Sequence, residues 1–107
     1  MSTKRKTIYI AGPMTGLPEY NKPAFDRVAK QIKIQWAATN LPTVVINPAR
    51  NYGGDQTLTH AQYMRYSIHQ LLIVDAVYML NNWEFSTGAC AEHTIAKSLG
   101  LEIYYED

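Results

Sequence analysis

The chain has 107 residues, of which 47% are hydrophobic and 18% are charged, and its formal net charge is +1. This length and composition are typical of one soluble globular domain over residues 1–107, with residues 1–6 as a basic tail. The small net charge argues against nucleic acid or a membrane surface as the main partner, and the lack of a long apolar run or a signal peptide predicts a cytoplasmic protein.

The first predicted strand, residues 7–11, leads into a loop with a glycine at each end. Its sequence, TIYIA, is rich in β-branched and aromatic residues, which favour a strand. The loop that follows, GPMTG over residues 12–16, would let backbone N–H groups approach a sugar or phosphate without a Cβ in the way. It matches neither the P-loop nor the GxGxxG pattern, so an ordinary turn is the alternative interpretation.

A first helix is predicted after this loop, with Asn21 as its cap and Pro23 in its first turn. Apolar residues recur there at helical spacing, which predicts one buried face: Phe25, Val28, Ala29, Ile32 and Trp36. Residues 40–42 end this helix, and residues 43–46 form the second strand. Residues 50–56, with the sequence RNYGGDQ, are predicted to form a loop over a cleft.

A second helix is predicted from Thr57 or Thr59 to about residue 72. Asp75 follows it, where helix gives way to strand, and is either a turn residue or a site residue. The histidines have no partner at metal-ligand spacing, so neither a metal nor a cofactor is expected. The single cysteine, Cys90, excludes an internal disulfide and is either a small packed residue or a nucleophile.

The stretch from Asn81 to Gly100 contains the residues that most strongly suggest a ligand-binding or catalytic site. It predicts a strand over residues 76–80, a polar loop over residues 81–87 and a helix over residues 88–99. Ser86, Gly88 and Glu92 would then gather at the carboxyl edge of the sheet, where open α/β folds bind ligands. Glu92 does not fit a capping box, so it either stabilises the helix end or is an ionised carboxylate facing a sugar carbon.

A fourth strand is predicted over residues 101–105, so that strands and helices alternate throughout. This order predicts an α/β fold: a small doubly wound, Rossmann-like or flavodoxin-like parallel sheet of four to five strands, with helices on both faces.

Several segments together resemble the nucleoside 2-deoxyribosyltransferase-like superfamily, most closely a branch of small phage and prophage proteins of unknown function. They are IYIAGPMTG, NKPAF, VINPA and VYMLNNWEFSTGACAEHTIAKSLGLEI. The resemblance implies that Glu92 is a catalytic nucleophile and that Ser86 holds the 5′ hydroxyl or phosphate of the sugar. It also implies a set of residues bordering the pocket: Tyr9, Gly12, Pro13, Met14, Thr15, Gly16 and Gly88.

One departure from this resemblance concerns the proton donor. The relatives carry an aspartate where this chain has Ser67, and a serine is not acidic enough to protonate a leaving base. Asp75, Glu84 or a group on the substrate would have to replace it, or the protein binds a nucleotide without cleaving it. Trp83 beside the serine loop is a candidate to stack on the base, with interface packing as the alternative.

The resemblance also implies partners and a location. A small-molecule nucleoside or nucleotide is the expected ligand, with a homo-oligomer that shares site residues between subunits. For a phage-encoded protein, the location would be the host cytoplasm. Three possibilities stay open at this point: cleavage or transfer at an N-glycosidic bond, non-catalytic nucleotide binding, and a structural or interaction role that keeps the fold alone.

Overall fold

The computed structural model describes residues 6–37, 43–49 and 57–107. Residues 1–5 of the basic tail predicted over residues 1–6, the helix break at residues 40–42 and the predicted cleft loop at residues 50–56 lie outside the described residues. Lys6, the last residue of the predicted tail, begins a strand. The four strands are β1 (Lys6–Ala11), β2 (Thr43–Ile46), β3 (Ala76–Met79) and β4 (Glu102–Tyr105). The three helices of the described residues are α1 (Lys22–Ala37), α2 (His60–Leu71) and α3 (Thr87–Ser98).

All four strands are parallel and form one sheet in the order β2-β1-β3-β4. Strand β1 therefore pairs with β2 on one side and with β3 on the other, so the direction of winding reverses between β1 and β3. A crevice forms at the carboxyl ends of two strands where this reversal occurs, and it is the usual ligand position in open α/β sheets. The α/β fold with a parallel sheet is confirmed.

The core consists of two apolar clusters, one on each face of the sheet. Side chains alternate along a strand, so Ile8 and Ile10 of β1 face one cluster while Tyr9 and Ala11 face the other. The first cluster includes the buried face of α1, namely Phe25, Val28 and Ile32. The second includes residues of α2 and α3, namely Leu71, Ala89 and Ala96. Helices therefore cover both faces, as the sequence predicts.

Two short turns of 3₁₀ helix were not predicted, and they change the ends of the neighbouring elements. Pro18–Asn21 precedes α1, and Trp83–Phe85 lies inside the loop that was predicted to be irregular. Three consecutive residues, Glu19, Tyr20 and Asn21, have positive φ angles of 53°, 52° and 62°. The Asn21 side chain donates to the Pro13 carbonyl at 3.0 Å, which ties the first loop to the start of α1.

The second helix begins as predicted at one of the two candidate threonines. Thr59 is its N-cap and forms a capping box with Gln62: the Thr59 hydroxyl accepts from the Gln62 N–H, and the Gln62 side chain accepts from the Thr59 N–H. No helix in the described ranges is long and apolar enough to cross a membrane.

The glycine at position 12 is required by a close approach of two chain segments that lie just past the ends of β1 and β3. A Cβ placed there would lie 2.7 Å from the Cβ of Leu80, an atom with little freedom to move. We expect Gly12→Ala to lower the free energy of unfolding by about 1–3 kcal/mol, measured by chemical denaturation. Gly88→Ala is the matched control, because its Cβ would meet only ordinary contacts at 3.4 and 3.5 Å. Equal stability of the two variants would contradict this account.

Candidate functional site

A cavity of about 220 Å³ opens at the carboxyl edge of the sheet, next to the ends of β1 and β3. Three parts of the chain line it. The loop after β1 and the turn before α1 contribute Gly12, Met14, Thr15 and Tyr20. The start of α2 contributes Leu58, Thr59, His60 and Tyr63, and the start of α3 contributes Ser86, Gly88, Ala89 and Glu92. The cavity therefore lies at the winding reversal, where the fold predicts a ligand.

Glu92 is a buried carboxylic acid at this cavity, with only 1% of its surface exposed. The Tyr9 hydroxyl donates to its Oε2 at 2.7 Å. Burial raises the pKa of Glu92 from 4.5 to about 7, and hydrogen bonds from Tyr9 and Ser67 lower this pKa but do not outweigh burial. Both protonation states of the carboxyl group are therefore accessible near neutral pH. The sequence alone left two alternatives for Glu92, a stabiliser of the helix end and an ionised carboxylate facing a sugar carbon.

Ser86 is the N-cap of α3, which begins at Thr87, one residue earlier than the predicted start at residue 88. Its hydroxyl oxygen accepts from the Ala89 N–H at 3.2 Å. A serine hydroxyl has one proton to donate besides its lone pairs, so the cap still leaves a donor for a ligand in the cavity. Gly88 lies one turn before Glu92 on the same face of α3, so Ser86, Gly88 and Glu92 line one wall of the cavity as predicted.

The serine at position 67 is fully buried beside the carboxyl group. Its single hydroxyl proton has two acceptors within reach: the Met64 carbonyl oxygen at 3.1 Å, and the Glu92 carboxylate, whose pKa is lowered when Ser67 donates to it. Ser67 is not among the residues that line the cavity. Ser67 therefore contacts the carboxyl group of Glu92 from outside the cavity, and it offers no acidic proton to a molecule bound in the cavity.

Asp75 is the first correction to the predicted site. Its carboxylate accepts from the Thr7 N–H at 2.9 Å, at the amino ends of β1 and β3. The cavity lies at the carboxyl ends of the same strands, so Asp75 cannot reach a molecule bound there. The structure therefore places Asp75 in the position of a turn residue, apart from the residues that line the cavity.

Trp83 is the second correction, because it does not line the cavity. Its ring stacks on His93, with 4.2 Å between the ring centroids, and His93 in turn lies 2.7 Å from the Tyr105 hydroxyl. Burial lowers the pKa of His93. Glu84 is exposed in the same 3₁₀ turn and also lies away from the cavity.

The loop after β1 agrees with its prediction in part. Gly12, Met14 and Thr15 line the cavity, while Pro13 and Gly16 belong to the loop without lining it. Gly16 has a φ of +83°, which only glycine adopts without strain. Its place in the loop is therefore explained by the turn alone.

Sequence reasoning missed the whole wall contributed by the start of α2, and Tyr20. The sequence does not mark His60 or Tyr63 as site residues. The one indication of their position, the order of helix and strand, is weak. Helix α2 precedes β3, so its first turn lies at the carboxyl edge of the sheet, the same edge as the start of α3. Among the described residues, no group of three His, Cys, Asp or Glu side chains could hold a metal ion.

Removal of the Tyr9 hydroxyl tests its contact with the carboxyl group. The hydrogen bond from Tyr9 lowers the pKa of Glu92, so Tyr9→Phe should raise it further, by about one pH unit. The titration of Glu92, followed by NMR of ¹³C-labelled glutamate, checks this. Tyr104→Phe is the matched control, since Tyr104 bonds Lys6 and Glu102 away from the cavity. An unmoved titration in Tyr9→Phe would refute the contact.

Comparisons with known proteins agree with this fold. A family model described as "Domain of unknown function (DUF4406)" matches residues 6–105. A solved structure of the 2-desoxiribosyltransferase from Leishmania mexicana superposes with a TM-score of 0.63 at 22% sequence identity. That alignment covers 94% of this chain and 63% of the other chain, so the chain spans less than two thirds of that protein. No curated protein matches the chain. At this identity, the structural likeness shows a shared fold.

Proposed function

The chain belongs to the DUF4406 family, and we propose that this member cleaves or transfers the N-glycosidic bond of a (deoxy)nucleoside or nucleoside monophosphate, with Glu92 as nucleophile. The observation that carries the proposal is the position of Glu92, a buried carboxyl group that lines the cavity together with the donor Ser86. A cavity of about 220 Å³ suits a small molecule of this class.

The chemistry needs a carboxylate that attacks the anomeric carbon. An ionised Glu92 would displace the base and form a glycosyl ester, and water or a second base would then release the sugar. The pKa of about 7 keeps a substantial part of Glu92 ionised at neutral pH. The apolar surroundings that raise this pKa also leave the carboxylate poorly solvated, which favours attack over hydration.

Tyr9 and Ser86 have separate roles in this proposal. The Tyr9 hydroxyl, 2.7 Å from the Glu92 Oε2, fixes the carboxylate so that its other oxygen faces the sugar. The Ser86 proton would bond the 5′ hydroxyl or a 5′ phosphate, with the positive end of α3 behind it. The likeness in fold to the 2-desoxiribosyltransferase supports a nucleoside as the class of substrate.

Binding without cleavage is a second candidate function, and Ser67 is the observation that favours it. A buried serine, bonded to a carbonyl and to Glu92, stands where the resemblance would place an acid. If nothing else protonates the departing base, the cavity would hold a nucleotide without breaking it. A nucleotide bound in this way could act as a signal.

A panel of deoxynucleosides and their 5′-monophosphates separates the two functions. We expect free base to appear by chromatography for at least one member of the panel, and a second added base to be incorporated if the protein is a transferase. Calorimetry with the same compounds measures binding. Tight binding with no base release would establish a binding function. If no compound in the panel is bound or cleaved, both proposals are rejected.

A further inference from the structure

The leaving base needs a proton, and we propose that His60 supplies it as the general acid of the reaction proposed above. This inference rests on the proposed function. An anionic purine or pyrimidine is a poor leaving group, so a positioned acid accelerates its departure by about 10²–10⁴-fold. Glu92 cannot serve, because the nucleophile has to be ionised when the bond breaks. Neither Ser67 nor Asp75 reaches the cavity.

Few side chains that line the cavity could replace His60 as the proton donor. Among the described residues that line it, the side chains with an ionisable proton are Tyr20, His60, Tyr63 and Glu92. Phenols hold their proton until about pH 10, whereas imidazole is the side-chain group that exchanges a proton near neutral pH. His60 is therefore the best acid that the described wall contains after Glu92.

The position of His60 fits the role. It is the first residue of α2, and its Cε1 lies 3.5 Å from the point that a Cβ on Gly88 would occupy. Gly88 and Glu92 are four residues apart on α3, which places their β positions about 5–6 Å from each other on one face. The imidazole and the carboxyl group thus border the same space, at a separation that one nucleoside can bridge.

The ring of His60 is also available to a ligand. Within the described part of the chain, it makes no hydrogen bond or ion pair, and the residue is exposed at the cavity. The titratable side chains that line the cavity with it are Glu92 from α3, Tyr20 from the turn before α1 and Tyr63 from α2 itself. No described lysine or arginine lines the cavity, so none competes as a donor.

The proposed step balances as follows. A Glu92 oxygen forms a bond to the anomeric carbon while the bond from that carbon to the base nitrogen breaks, and its electron pair goes to the base. The imidazolium of His60 gives its proton to the base, which leaves neutral, and the imidazole becomes neutral as well. Water then attacks the anomeric carbon, passes a proton to His60 and expels the Glu92 carboxylate, which restores both groups.

This assignment predicts a particular pH dependence. Glu92 has to be ionised and His60 protonated, so the rate of base release should be bell-shaped with pH. The acidic limb belongs to Glu92 and the alkaline limb to His60. His60→Gln should lose the alkaline limb and keep the acidic one, because glutamine does not titrate.

The decisive experiment compares two kinds of leaving group. One substrate is the panel compound that the wild-type protein cleaves fastest, and the other is 7-methyl-2′-deoxyguanosine 5′-monophosphate, whose base is already cationic and leaves without a proton. We expect His60→Gln to lower kcat on the first by about 10²–10⁴-fold and on the second by less than about tenfold. His69→Gln, an exposed histidine of α2 away from the cavity, should change neither rate.

Each other outcome overturns a defined part of the argument. Equal losses on both substrates would mean that His60 only shapes or binds, and unchanged rates would remove it from the reaction altogether. If the wild-type protein releases base from no substrate, the proposed function itself fails. As a second measurement, His60→Ala should recover activity when imidazole is added to the solution, and a lack of recovery would also count against the acid role.

Discussion

Glu92→Gln is expected to abolish base release, with a loss of at least about 10³-fold in kcat. Glutamine has the shape of the carboxyl group and keeps an oxygen that accepts the hydrogen bond from Tyr9, 2.7 Å away in the wild-type protein. It has no negative charge with which to attack the anomeric carbon, so only uncatalysed cleavage remains. The residual rate of cleavage is measured by chromatography of free base over long incubations, at protein concentrations well above those used for the wild type.

The controls for this variant separate chemistry from binding. Glu84→Gln removes an exposed carboxylate from the turn just before α3 and should retain the wild-type rate. Calorimetry should show that Glu92→Gln still binds the substrate, because Ser86 and the rest of the cavity wall are intact. Base release that survives in Glu92→Gln would discard Glu92 as the nucleophile.

Glu92→Gln should also be more stable than the wild type at alkaline pH, by on the order of 3 kcal/mol. In the folded protein, the pKa of Glu92 is raised from 4.5 to about 7, mainly by burial. The folded state therefore retains a proton that the unfolded state releases. The stability that this group contributes is fully present below pH 4.5 and is lost as the pH rises through about 7. A difference of this size in pKa corresponds to about 3 kcal/mol.

Chemical denaturation between pH 4 and pH 9 checks this expectation. The two proteins should have similar free energies of unfolding at pH 4, where the carboxyl group is neutral, and they should diverge as the pH rises. Glu84→Gln is the matched control and should follow the wild type over the whole range, because the residue lies exposed on the surface, outside the core. Parallel curves for wild type and Glu92→Gln would show that the folded protein does not disfavour the charge at position 92.

If both results are obtained, Glu92 is a residue that the proposed reaction needs and that lowers the free energy of unfolding. A core position filled by a carboxyl group with 1% exposure weakens the fold at neutral and alkaline pH. The same burial withholds water from the carboxylate that the proposed reaction uses. A variant that gains stability and loses activity would show this trade directly.

The fold could be predicted from the sequence because its signals are local. Runs such as residues 7–11 and 76–80 are apolar on both faces, as buried parallel strands require, and the residues that recur in α1 define one buried helical face. Alternation of strand and helix then leaves few arrangements, because crossovers between parallel strands are right-handed. The two 3₁₀ turns were missed because their backbone angles depend on neighbours more than on composition.

Residue spacing predicted only the part of the candidate site that is close in sequence, and the family resemblance added Tyr9 and the loop after β1. Ser86, Gly88 and Glu92 belong to one loop and helix, so their spacing alone brings them to one wall. Tyr9 meets Glu92 from a residue 83 positions away, and His60 arrives on a different helix. Asp75 was a candidate site residue because the local sequence around a carboxylate does not indicate which edge of the sheet that carboxylate lies at.

The sequence by itself determined the order of strands and helices and the grouping of Ser86, Gly88 and Glu92, since these follow from hydrophobic periodicity and short spacing. Only the tertiary structure decided which distant side chains share the cavity, and that Glu92 lies away from water with a pKa of about 7. The physical reason is that burial and proton affinity depend on all the atoms around a group. Those atoms are contributed by segments that meet only when the chain has folded.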